Sequence, residues 1–460
     1  MRVPPAAKSV FTSAQRVALL AGFALLIALR LPQAWVHGRF LDEEATVFLA
    51  YAWHHPWADA LFRAFGGYIN FAANATTLLT ARLVQDGLLP LERAPYLTML
   101  TALAFQLVPG ILILTGRADW LGDRRAVLAA LLLIAVAPAS EEVFFNVLHI
   151  QFHLALAAAL ILALDAPQGR ARFGYYAILF AAPLCGPGAI AILPLFAARA
   201  VLDRDPQRWG QFALFAAGAA VQLIGFFGAS PLRGNMVDPA TAAAVLFVRL
   251  IALPLLNYGS ADAIGAAVLR SQAAGGIGWW AAAGLAVVLL GALFFVAARR
   301  RDAAVWLVAA ALGVAGASFG FGMVLVDRAN MFTVGAGERY NFLPLVLLGM
   351  ALIALAMRRS PGWRVYVGLC GLMLLTAAIR YPSPLTDFSQ GPSWPAEVAK
   401  WRQDHRHRLA VWPEPWAADL SGEVRPCTPV GSDLAASMDP RYCESGWAAD
   451  FLRPQRLAVR

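Results

Sequence analysis

Acidic residues are scarce in this chain, and three of them stand side by side as Asp42-Glu43-Glu44, just ahead of the apolar run Val47-Phe48-Leu49-Ala50. A carboxylate at the mouth of a cavity, flanked by apolar residues, holds its proton more tightly than usual and can act as a general base. The triplet also reads as a helix start. Asp42 would then be the N-cap, with Glu43 and Glu44 in the first turn, where free N–H groups and the helix dipole favour negative charge. The two roles are compatible. A second acidic pair, Glu141-Glu142, precedes Asn146, His149, Gln151 and His153. On a helix His149 and His153 share a face at i and i+4. With Glu141 or Glu142 they would form part of a divalent-metal site, but two His without a clear third ligand do not indicate a metal. Polar groups turned into a helix bundle also hydrogen-bond there. No motif calls for a cofactor. The third constellation is Arg339-Tyr340, immediately before the apolar run 342–357. A guanidinium fork beside a phenol suits a phosphate headgroup. The same pair also suits a plain interface anchor, with Arg snorkelling and Tyr in the aromatic belt.

The elements that must position these residues are membrane helices. The chain has 460 residues, 60% hydrophobic and 14% charged, where a soluble domain carries about a quarter charged residues. A bilayer core needs about 20 apolar residues per helix. Such runs occur at 17–31, 94–114, 126–139, 212–228, 278–298, 303–322, 342–357 and 365–379, with a shorter one at 152–164. The stretch 173–200 is interrupted by Pro183, Gly186, Pro187 and Gly188 and reads as two short helices meeting at a break. Non-helical backbone at membrane depth is tolerated where it is buried in protein or lines a wet cavity. The sum is an all-α polytopic membrane protein of about eleven transmembrane helices.

The net charge of +9 does not point to nucleic acid, since no basic face with interleaved aromatics is present. The basic residues sit in short loops beside apolar runs: Arg16, then Arg117, Arg124 and Arg125, then Arg170 and Arg172, then Arg199, Arg204 and Arg208, with further clusters at 299–301 and 358–364. By the positive-inside rule these loops and the N-terminus are cytoplasmic. The acidic constellations and Arg339 then face the other side, the periplasm if the membrane is a bacterial inner membrane. No small-x-small cleavage site follows the first run; Pro32, Gln33 and Trp35 mark an interface instead.

The chain divides into a membrane domain, 1–379, and a small periplasmic tail, 380–460. Within the first, residues 32–93 form a periplasmic loop whose stretches 47–53 and 69–84 read as amphipathic helices lying in the interface. The semi-apolar patch 242–256 reads as either interfacial or re-entrant. The tail is rich in Pro and Trp and long enough for a small ordered cap. It holds Cys427 and Cys443, whose expected oxidising side favours a disulfide worth about 3 kcal/mol in the chain-entropy model. Cys185 and Cys370 lie in apolar runs and read as small core residues.

The set and order of these pieces resembles the GT-C superfamily of integral-membrane glycosyltransferases. Phe40-Leu41-Asp42-Glu43-Glu44 is similar to the acidic motif that members carry in the first non-cytoplasmic loop, just after the first span. The segment from Gly67-Tyr68-Ile69-Asn70-Phe71 to Ala81-Arg82-Leu83 resembles their interfacial helix, and Glu141-Glu142 through Asn146 to Gln151-Phe152-His153 their second loop and following helix. Leu184-Cys185-Gly186-Pro187, closing in Leu193-Pro194-Leu195, resembles their short helix pair. Gly337-Glu338-Arg339-Tyr340 resembles a Gly-x-Arg-Tyr signature before a late span. The broken pair lacks the Lys that some members place there, and the tail is far smaller than the large periplasmic domains of others.

The resemblance implies a polyprenyl-phosphate-linked sugar as donor. It implies an Asp or Glu of the triplet as catalytic base, Arg339 with Tyr340 at the donor phosphate, and an inverting transfer to a glycan, lipid or protein acceptor. Glu141, Glu142, Asn146, His149 and His153 would make an acceptor-side or second-loop polar site. The rival readings are a lipid-linked-oligosaccharide flippase and an O-antigen polymerase or ligase. A transporter should carry ionisable residues deep in several spans and often shows repeat symmetry; here charges cluster at the run ends and no repeat is visible.

Overall fold

The computed structural model describes residues 10–167, 169–228, 237–300, 302–323, 328–357 and 362–421. The chain is mostly helical, with only two short antiparallel hairpins, Ala64–Phe65 with Tyr68–Ile69 and Leu409–Ala410 with Ala417–Ala418. Among the described residues six helices are long and apolar enough to cross a membrane: Leu91–Thr115, Pro239–Leu256, Ile277–Arg300, Ala303–Gly322, Arg339–Met357 and Trp363–Arg380. This is compatible with the all-α polytopic class. Ser13–Leu29 and Ile150–Ala163 are apolar but shorter. The segments Ala171–Leu184 and Pro187–Asp203 meet at a bend of 118°, where the Gly/Pro cluster places the break, and count as a seventh candidate if taken as one broken span.

Burial separates the centre of the bundle from its rim. Arg339–Met357 has 89% of its apolar window buried, against 28% for Ile277–Arg300 and 17% for Trp363–Arg380. A helix that is apolar all round and enclosed on all sides belongs in the middle of a bundle. Arg339–Met357 packs there against Ala303–Ala317, Trp363–Arg380, Arg124–Val136 and Ile150–Ala163. Capping side chains set several starts: Thr12 and Gln15 form a reciprocal box at Ser13–Leu29, and Asp123, Asp238 and Asp302 cap the helices that follow them. Such caps satisfy N–H groups that a helix start leaves free.

The patch 242–256 belongs to Pro239–Leu256, a helix with a π-helical section at Phe247–Ala252. A single continuous helix, long and apolar enough to cross a membrane, is not the re-entrant hairpin of the second expected alternative. It carries a fully buried Arg249 in its π section.

The first loop folds into short helices, Glu44–Leu49, Ala50–His54 and Trp57–Leu61, a hairpin, and the longer Phe71–Gln85. Phe71–Gln85 buries Thr77 and Thr80, whose hydroxyls donate to the carbonyls of Ala73 and Thr76, both at 2.8 Å. Its exposed side carries Leu79, with Trp57, Phe62 and Leu88 exposed nearby in the chain. The tail forms a small cap over this loop. Helix Trp394–Gln403 packs on Leu91–Arg93, and the 417–418 strand packs on Glu44–Leu49. Trp394 is buried, donates from its indole to the Leu91 carbonyl at 2.8 Å and meets Phe40 edge-on at 4.8 Å. Cys427 and Cys443 lie outside the described residues; Cys185 and Cys370 are buried free thiols.

Candidate active site

Asp42 adopts a left-handed backbone conformation, φ 41°. Its N–H donates to the carbonyl of Trp412 at 2.7 Å, and its own carbonyl accepts from the Thr46 hydroxyl at 3.1 Å. Glu43 is the next residue and precedes Glu44–Leu49, yet makes no side-chain capping bond. The capping role expected of Asp42 falls instead to Glu44. One Glu44 oxygen accepts from the Leu41 N–H at 3.0 Å, and the other from the Val147 N–H at 3.0 Å. The reason is geometric: a residue in the left-handed region turns its side chain away from the helix axis, whereas the third residue of the turn reaches back to the N–H before it. Glu44 is fully buried, whereas Asp42 and Glu43 are only partly so. Burial pushes the Glu44 carboxyl up to about 7, with the Val147 and Leu41 N–H groups acting against it.

The second loop runs through Ser140 to His149 and is buried throughout. Ala139 and Phe145 are also left-handed, with φ 46° and 55°. Three non-glycine residues in this region, each costing about 1–3 kcal/mol, fall in the two loops that meet here, and such strain collects at functional sites. Asn146 ties the loop together. Its amide donates to the Glu142 and Phe144 carbonyls at 2.8 and 3.0 Å, and its oxygen accepts from the His149 N–H at 3.0 Å. Asn70 joins the two loops by donating to the Leu148 carbonyl at 2.8 Å.

Glu142 holds Arg339. One of its oxygens accepts from the Arg339 guanidinium and the other from the Arg339 main-chain N–H at 3.1 Å. His149 Nε2 stands 3.9 Å from the same carboxylate, and its Nδ1 lies 2.9 Å from the Glu142 carbonyl. Burial opposes ionisation of Glu142, but the Arg339 charge overrides it and leaves the carboxyl below its usual range. Burial lowers His149 to about 4, so it is neutral at pH 7. In that state Nδ1–H donates to the carbonyl. The Arg339 side chain remains 35% exposed.

Asp42 and Glu43 belong to the same electrostatic cluster. Burial, then the Glu43 and Glu142 charges, push Asp42 well above the usual carboxylate range, against the pull of Arg339 and Arg39. Glu43 is raised by burial, with Arg339 as its main opposing charge. Thus two partly buried acidic residues that favour a proton lie within electrostatic reach of the Arg339 cation. The Tyr340 hydroxyl donates to the Gly322 carbonyl at 3.2 Å, and its ring lies 5.2 Å from the Arg339 guanidinium carbon.

Glu141 points elsewhere. It accepts from the Ser140 N–H at 3.1 Å and lies 3.6 Å from Arg30. His153 is fully buried, with Nε2 3.2 Å from the Val143 carbonyl and its ring packed on Phe144 and Phe342. The two His therefore serve different carbonyls. Among the described residues no group of three His, Cys, Asp or Glu is placed to hold a metal ion.

Sequence reasoning missed three buried arginines that shape the site. Arg30 donates to the Ala135 and Ala137 carbonyls at 2.8 and 2.7 Å. Arg39 donates to the carbonyls of Phe388, at 2.8 Å, and Phe144, joining tail and second loop beside the triplet. Arg249 donates to the carbonyls of Met331, Asn330, Thr333 and Ala336 and to the Asn341 side-chain oxygen, all within 3.2 Å. No local pattern marks such residues, because their partners are main-chain carbonyls far away in sequence. A polar cavity of about 240 Å³ is lined by Asp119, Asp165, Arg199, Asp203 and Arg300. It also touches Ala354, about four helical turns along Arg339–Met357 from Arg339, so it lies at the other end of the bundle from the carboxylate cluster. No protein-family model, curated protein or solved structure matches the chain.

Proposed function

We propose that the chain is a GT-C-type membrane glycosyltransferase that moves a sugar from a polyprenyl-phosphate donor to a periplasmic-side acceptor with inversion. The observation that supports it most is that the partly buried Asp42 and Glu43 lie within electrostatic reach of Arg339, whose side chain is held by Glu142 and stays 35% exposed. Asp42, or Glu43 beside it, takes the proton of the acceptor hydroxyl. The acceptor oxygen forms the new bond at the anomeric carbon while the bond to the lipid phosphate breaks, and the electron pair leaves with the phosphate. Arg339 meets that developing charge, where a fixed cation favours the transition state. Glu44 acts as a structural carboxylate and Glu142 aims Arg339. In this reading about eleven spans cross the inner membrane, the N-terminus is cytoplasmic, and the first loop and the cap are periplasmic.

The flippase reading is less well supported. The described charges gather at the bundle ends, and Arg249, deep in a helix of span length, spends its donors on loop carbonyls. Purified variants assayed with a polyprenyl-phosphate sugar test the transferase. Asp42→Asn should lower turnover by about two orders of magnitude or more, with folding retained because Asn tolerates the left-handed region. Arg339→Lys keeps the charge but loses the planar fork, so donor affinity should fall. Near-wild-type turnover in Asp42→Asn, Glu43→Gln and Glu44→Gln alike would remove the base and the mechanism with it.

A further inference from the structure

The backbone of Asp42 is held by a segment some 370 residues further along the chain. The Asp42 N–H donates to the Trp412 carbonyl at 2.7 Å, and the Trp412 N–H donates to the Phe40 carbonyl at 3.1 Å. The pair forms an isolated parallel bridge between Leu41 and Trp412. Within the first loop, the bonds of residues 41–42 are local: Leu41 N–H to Glu44 at 3.0 Å, Glu44 N–H to the Leu41 carbonyl at 2.8 Å, and the Thr46 hydroxyl to the Asp42 carbonyl at 3.1 Å. None of these engages the Asp42 N–H. A non-glycine residue leaves the left-handed region unless its surroundings hold it there, and at Asp42 the non-local hold is the tail.

Trp412 is itself fixed from behind. It is 1% exposed, and its indole N–H donates to the Pro392 carbonyl at 2.8 Å. Gly391 lies so close to the ring that an added Cβ would collide with it. The Arg39 guanidinium carbon stands 5.9 Å from the ring centre, and Arg39 donates to Phe388 in the same stretch. The segment at 411–412 is therefore braced by side chains, while what it offers Asp42 is main chain.

We infer that Trp412 is a positioning residue: the tail segment around it, through its main-chain bridge to residues 40–42, sets the direction of the Asp42 carboxylate and makes the cap part of the catalytic unit. This rests on Asp42 being the base. The cap then acts on turnover rather than on donor capture, because Arg339 is held separately by Glu142 and by the loop that Arg249 clamps.

The test uses full-length protein reconstituted in lipid with a polyprenyl-phosphate sugar. Gly391→Ala drives a methyl group into the indole without altering Asp42, Glu43, Glu142 or Arg339. Trp412→Ala removes the brace, and Trp412→Phe keeps a ring but loses the N–H. Gly391→Ala and Trp412→Ala should each lower kcat about tenfold or more with donor KM within about twofold, and Trp412→Phe should fall between. Where Trp412→Ala fails to insert, the other two variants carry the measurement. Wild-type kcat in variants that fold, beside an inactive Asp42→Asn, would overturn the inference and leave the base standing. A loss shared equally by kcat and donor KM would overturn it too, as the mark of general collapse. An active Asp42→Asn would instead remove the base assignment beneath it.

Discussion

At the scale of single residues, the acidic triplet splits into two kinds of carboxylate. Glu44 is closed off by two backbone N–H groups, whereas Asp42 and Glu43 are only partly buried and favour a proton. The raised Asp42 carboxyl has opposite consequences for rate and stability. A base works ionised, so kcat should fall as pH drops through a value well above the ordinary Asp pKa of about 3.9. The folded state binds that proton more tightly than the unfolded chain. Its contribution to stability is therefore complete at acid pH and is lost as pH rises through the raised value. Asp42→Asn removes this loss. Its thermal midpoint should exceed that of the wild type at pH 8 by more than at pH 4. A pH-rate profile whose acid limb sits near 4, or a variant midpoint that does not diverge, would mean the carboxyl is not held as described. The triplet was legible in the sequence because three acids before an apolar run are rare in this chain. Its division of labour was not, since the left-handed turn at Asp42 and the Val147 partner of Glu44 arise only from the folded loops.

At the scale of elements, the site is built from four stretches held by buried side chains. The loop that delivers Arg339 is gathered by Arg249, whose guanidinium serves four carbonyls between Asn330 and Ala336 and the Asn341 amide. Arg249→Met leaves that loop without its central donor, and each buried group left unpaired costs about 1–3 kcal/mol. The thermal midpoint should drop and donor KM should rise about tenfold, since Arg339 loses its platform. Equal donor affinity in wild type and variant would show that the loop holds itself. The helices of the first loop and the Gly/Pro break were readable from periodicity and from breakers, which are local signals. Pro239–Leu256 was not, because an Arg and a semi-apolar composition mask a helix whose guanidinium finds its acceptors in a loop far along the chain.

At the scale of the whole molecule, apolar runs announced the mostly helical, membrane-compatible class, because bilayer thickness imposes run length, while the expected orientation rests on the Arg-rich loops. Reporter fusions test the resulting orientation. Alkaline phosphatase joined at Trp394 should be active and one joined at Arg300 inactive; the reverse pattern would place the carboxylate cluster on the wrong side for a periplasmic transfer. The tail, 380–460, was expected to be long enough for a small ordered cap; its described part packs on the first loop and bonds to Asp42. An isolated bridge between residues 41 and 412 gives no periodicity to read. The central claim, that this chain consumes a polyprenyl-phosphate sugar through Asp42 or its neighbour, is met most directly by mass spectrometry of lipid-linked sugars in a deletion strain carrying the wild-type gene, Asp42→Asn or no copy. The account expects polyprenyl-phosphate sugar to accumulate in the empty and the Asp42→Asn strains and to return to normal with wild type. Unchanged levels of that donor in the deletion strain, or full-length lipid-linked oligosaccharide accumulating on the cytoplasmic face, would contradict it.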